Sequence, residues 1–155
     1  MFLKVKLNAR SATGYFISAY IIVTILAYLA SYLVSIFIQL PPQPPGGNMF
    51  DSPEFVKSVP YHLVINLLVW TLFSYMYFRT SQKRGLNTTA PIYLGLFWLL
   101  AAILTDLVFF VLIPSPVALS FHQFYVEYQP WISITYLIVF ISPLLSSTFV
   151  LRGNS

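Results

Sequence analysis

Long apolar runs broken by short polar clusters dominate this chain. Residues 11–50, 58–78, 85–105, 107–126 and 128–151 contain no Asp, Glu, Lys or Arg. A helix needs about 20 mostly apolar residues to cross the hydrocarbon of a bilayer, at ~1.5 Å per residue. Within the uncharged runs the pattern predicts four such helices, at about Gly14 to Gln39, Val59 to Phe78, Pro91 to Ile113 and Pro130 to Leu151. Helices are required because backbone amides in lipid must be satisfied within their own segment, and the alternation of a membrane β-strand is absent. The expected fold class is all-α, a polytopic four-transmembrane-helix bundle that makes residues 1–155 one transmembrane domain. Lys4, Lys6 and Arg10 precede the first run as they would in a secretory signal. The apolar stretch Tyr15 to Ile38 is longer than the ~7 to 15 residues of such a signal, so a retained helix is expected.

The polar breaks carry their own pattern. Pro41-Pro42-Gln43-Pro44-Pro45 and Pro114-Ser115-Pro116 end helices and stiffen the chain as it leaves the apolar layer. After the first exit, Ser52-Pro53-Glu54 has the order of an N-cap, an N1 proline and a first-turn acid, which predicts a short helix from Pro53 to Ser58. After the second, Val117, Phe121, Phe124, Tyr125 and Tyr128 recur at helical spacing, which predicts a short amphipathic helix at the headgroups. The two returns also resemble each other. Phe55-Val56-Lys57-Ser58-Val59-Pro60-Tyr61 and Tyr125-Val126-Glu127-Tyr128-Gln129-Pro130-Trp131 lie 70 residues apart, as a parallel repeat of 1–80 and 81–155 would place them. A proline and an aromatic at each bilayer entry explain the same match without duplication.

Composition agrees with the pattern. The chain is 58% hydrophobic and 8% charged, with a mean hydropathy of +0.79, whereas soluble domains carry roughly 25% charged residues. The lipid bilayer is therefore the first partner expected. Lys4, Lys6, Arg10, Arg79, Lys83, Arg84 and Arg152 fall on one side of the four helices, and only Lys57 falls on the other. The positive-inside rule then puts both termini in the cytoplasm of a cell bounded by a plasma (inner) membrane, with the two proline-led loops outside. The net charge of +4 is accounted for by topology, so no nucleic-acid partner is expected. With no cysteine, thiolate catalysis and sulfur-ligated metals are closed off. No glycine-rich phosphate loop is present, and no cofactor is expected.

Asp106 is the one acid inside a predicted span. A charge there costs at least ~2.5 kcal/mol on insertion scales, so it needs a reason. Counting depth from the helix centres puts Asn66 level with it and His62 one turn further out, on the same face. Ser31, Ser35, Ser133, Thr135 and Tyr136 fall in the same outer half. The expected site is an outward-facing polar pocket floored by Asp106, lined by Asn66, His62, Ser35 and Tyr136, with His122 and Glu127 at its mouth. Asn66 or Tyr136 is expected to hydrogen-bond the carboxylate. His62, His122, Asp106 and Glu127 have ligand-type side chains but no characteristic metal spacing, and no metal is expected. Such a pocket suits a small cation, a polar ligand or a membrane-protein partner, including a second copy of the chain. Binding of a ligand or partner, as a subunit of a larger membrane complex, is the leading expectation. A proton- or cation-coupled transporter using Asp106 is the alternative, and an intramembrane enzyme ranks third.

Overall fold

The structure is a computed structural model, and it describes residues 7–39, 52–81, 89–115 and 118–152. Among these residues every regular element is helical. Helix α1 (Ala9–Ile38) is capped by Asn8, whose Oδ1 accepts from the Ser11 amide at 3.2 Å. Helix α2 (Pro53–Ser81) starts where the N-cap signature places it, with the Phe55 amide donating to Ser52 Oγ at 3.2 Å. The predicted short helix from Pro53 to Ser58 is corrected here, because α2 runs through Pro60 without a break. Pro60 is the eighth residue of α2, past the orphaned amides of the first turn, so the Val56 carbonyl is left without its helical donor there. Helix α3 (Ala90–Asp106) passes directly into a π-helical turn, π1 (Leu107–Leu112). A second π turn, π2 (Gln123–Glu127), precedes helix α4 (Trp131–Arg152). Of the amphipathic stretch expected over 117–128, residues 118–120 are irregular and only Phe121 and His122 are α-helical before π2 begins. The Pro41 to Gly47 segment, Pro116, Val117 and the basic residues Lys4, Lys6, Lys83 and Arg84 lie outside the described residues.

Among the described residues four helices are long and apolar enough to span a membrane: Ala9–Ile38, Pro53–Thr80, Ala90–Leu112 and Trp131–Val150. Helix α1 packs on α2, α2 on α4 and α4 on α3, while α1 and α3 touch far less. Two ends can be distinguished. The terminal end holds the start of α1 and the end of α4; the loop end holds the Ile38–Pro53 and Leu112–Trp131 connections.

Toward the terminal end the bundle is filled. Trp70 lies against Phe16 and Trp98, with ring centroids 5.5 and 5.4 Å away. The Trp98 indole N–H donates to the Ala12 carbonyl at 3.0 Å, closing α3 onto α1. Small side chains bring the backbones together, as helix pairs in lipid require. A Cβ on Gly95 would meet the Phe140 carbonyl oxygen at 2.5 Å, and buried Ser74 donates to the Ser142 carbonyl at 3.3 Å. Ser142 in turn donates to Ile138 O at 2.7 Å, one residue before the Val139 carbonyl that Pro143 leaves without its helical donor. The outside is the reverse of a soluble protein. Ile17, Ile21, Ile25 and Leu29 form an exposed stripe on α1, and Leu68, Leu72, Leu100, Leu104 and Leu137 are exposed on the other helices. Hidden serines under an aliphatic exterior suit a membrane-embedded protein.

Candidate functional site

Asp106 ends α3 as its last α-helical residue, and the next residues widen into π1, where the Ile113 amide reaches back five residues to Val108 O at 2.9 Å. Single π turns of this kind recur at functional positions. The carboxylate is 8% exposed. Its two oxygens are held from opposite sides of the bundle. The Tyr20 hydroxyl of α1 donates to Oδ1 at 2.5 Å, and the Tyr136 hydroxyl of α4 donates to Oδ2 at 2.8 Å. Three helices therefore meet at one acid.

Above this junction lies a cavity of about 300 Å³ that reaches from Asp106 and Trp70 to Ser52 and Glu54 at the start of α2. That is the lower end of the range for small-molecule sites. Its roof comes from the segment that follows π1. The Leu119 amide donates to the Phe110 carbonyl at 2.7 Å, folding the chain back over the π turn. Phe124 then stacks on Phe110, centroids 5.5 Å apart and planes 14° from parallel. Tyr128 meets Phe55 of α2 at 5.3 Å. Burial pushes the Tyr128 hydroxyl above the ordinary phenol range, and the nearby Asp106 charge adds to this. Tyr128 stays neutral at any working pH.

The α1–α2 wall is tied by a chain of hydroxyls. His62 Nε2 lies 3.1 Å from the Ala27 carbonyl, which can only accept, so this nitrogen carries the hydrogen. The same nitrogen is 3.0 Å from Ser31 Oγ, which contacts Ser58 Oγ at 3.0 Å. Ser58 donates onward to Phe55 O at 2.8 Å. His62 thereby joins two helices while its ring faces the cavity.

Of the sequence-predicted residues, Asp106, Asn66, His62 and Tyr136 come together around this cavity. Asn66 does not hold the carboxylate: its Nδ2 donates to His62 O at 2.9 Å and its Oδ1 accepts from Trp70 Nε1 at 3.1 Å. Ser35, His122 and Glu127 are not among the residues that line the cavity. Ser35 turns to its own helix and donates to Tyr32 O at 2.7 Å. His122 and Glu127 meet each other at 3.1 Å on the exposed face of the loop-end segment. The four candidate metal-type side chains therefore do not converge, and no group of three such residues could hold a metal among the described residues. Tyr20, Thr24 and Glu54 line the cavity and were missed. Glu54 had a signal, its place in the first turn of α2. Tyr20 had none, being one of four tyrosines on α1 with nothing to set it apart from Tyr15, Tyr28 or Tyr32.

Comparison with protein-family models, curated proteins and solved structures gives no match. Fold and site together define a class: an all-helical bundle with an apolar exterior and a cavity beside a buried carboxylate.

Proposed function

We propose that the protein is a small multi-pass integral membrane protein whose pocket around Asp106 binds a small ligand, with the termini cytoplasmic and the pocket served from the opposite side. One observation carries this reading: four helices that close tightly around Trp70 and Trp98 part to leave about 300 Å³ against a buried acid. A structural acid would be enclosed by packed side chains, and a void beside it forfeits contacts that lipid-embedded helices depend on.

The test is photolabelling in lipid nanodiscs with a medium-chain alcohol that bears a diazirine. Crosslinks are expected on cavity residues such as Tyr20, Phe124 and Tyr136, and they should vanish when Ala27→Phe fills the space. Labels confined to lipid-facing residues such as Ile21 and Leu104 would sink the reading. Because the chain has no native cysteine, orientation is tested by Lys57→Cys and Arg10→Cys. An impermeant maleimide added to intact cells should label the first and spare the second.

A further inference from the structure

Asp106 has donors but no countercharge. Both hydrogen bonds come from phenols, which are neutral, and among the described residues no Lys or Arg lines the cavity. A carboxylate so placed is expensive unless a cation joins it. The remaining ionisable walls do not supply one. Glu54 is a second acid, and His62 directs its Nε2 hydrogen to the Ala27 carbonyl on the α1–α2 wall and not to Asp106. The sign of the lining is therefore negative, which repels anionic ligands.

The walls say what kind of cation fits. Tyr20, Trp70, Phe110, Phe124, Tyr128 and Tyr136 all border the space, and ring faces attract a desolvated cation within ~6 Å of their centroids. A hard metal ion asks for about six oxygen ligands. At Asp106 the carboxylate gathers only two hydroxyls. A bare proton would neutralise the acid but leaves the cavity and its aromatic roof without a use. Resting on the ligand-binding reading above, we propose that the pocket takes a lipophilic organic cation, an amine or quaternary ammonium on an apolar body, with Asp106 as countercharge and the aromatic walls as cage.

The experiment uses three molecules of one shape and different charge: 4-phenylbutylamine, 4-phenylbutanol and 4-phenylbutyrate. Each is titrated against the full chain in nanodiscs, following displacement of the photolabel, with empty nanodiscs as the partition blank. The amine is expected to compete at least tenfold better than the alcohol, and the carboxylate not at all. In Asp106→Asn the amine should fall to the level of the alcohol, and Glu54→Gln, at the rim, should weaken the amine by a smaller factor. If the alcohol matches or beats the amine on the unaltered protein, the cation is wrong while the pocket stands. If all three fail to displace the label, or no site labels at all, the pocket falls with it.

Discussion

The same four helices build a solid half and a hollow half, and the difference lies in what they place between them. Toward the terminal end, indoles fill the centre, while Ala12, Ala19, Gly95 and Ser74 let backbones approach. Toward the loop end, phenols replace indoles, and Tyr20 spans from α1 to Asp106 across a gap that α3 does not close. Lipid gives helices no hydrophobic reason to associate, so detailed packing decides where they meet. A hollow persists here because its walls are tied by hydrogen bonds. Asp106 joins three helices, and the Ser31, Ser58 and His62 network joins α1 to α2.

Adding volume should separate the halves most sharply. Gly95→Leu pushes a side chain into the Phe140 backbone, and overpacking of that kind costs about 3 kcal/mol or more when helices must part. We expect thermal unfolding in detergent, followed by tryptophan fluorescence, to drop by many degrees or the protein to fail to accumulate. Ala27→Phe adds more atoms on the cavity wall and should change stability by less than ~1 kcal/mol, because space is already there. Equal losses in the two variants would mean that the cavity is not a real void. Next in size is Asp106→Asn. It removes a charge whose burial costs at least ~2.5 kcal/mol on insertion scales, so stability should hold or rise while amine binding drops.

The solid half and the hollow half were not equally legible. Four helices follow from hydropathy summed over about 20 residues, a signal too long to be upset by any one side chain. Asp106 announced itself as a lone acid in an apolar run, and Tyr136 followed from its depth. Tyr20 did not, for two reasons. It is one of 11 tyrosines, and depth counted from the centres of the predicted spans puts it about 10 Å toward the terminal end while Asp106 sits about 6 Å toward the loop end. The two side chains meet in spite of that count, and no local pattern encodes how one helix is offset along another. Ser31 and Ser35 make the same point within one helix. They share a face one turn apart, yet Ser31 meets Ser58 and His62 whereas Ser35 bonds its own backbone. The roof was invisible because the π turns that carry Phe110 and Phe124 have no period that sequence reading looks for.

Smaller effects sharpen the comparison at the junction of the halves. Tyr136→Phe and Tyr20→Phe each remove one donor from Asp106, and intramembrane bonds of this kind average about 0.6 kcal/mol with maxima near 1.7. Tyr20→Phe should be the costlier of the two, since α1 and α3 have little other contact to hold them together there. Tyr136→Phe acts between α3 and α4, which stay packed through Gly95 and Phe140. Paired melting curves read the difference; a larger loss for Tyr136→Phe would mean that α1 is anchored elsewhere.

The smallest effect is expected where the sequence placed the mouth of the site. His122 and Glu127 form an exposed pair on the loop-end segment, and surface ion pairs contribute about 0 to 1 kcal/mol. His122→Ala and Glu127→Gln should each shift stability by less than ~0.5 kcal/mol and leave the labelling of Tyr20 and Tyr136 unchanged, as should Ser35→Ala. Phe124→Ala, two residues from His122, is the control. It removes the ring stacked on Phe110, so it should open the roof and spread labels into the loop-end segment. If His122→Ala instead produces that spread and Phe124→Ala does not, the roof is held by the exposed pair and not by the rings. The segment after π1 would then be a polar latch rather than part of the cavity wall.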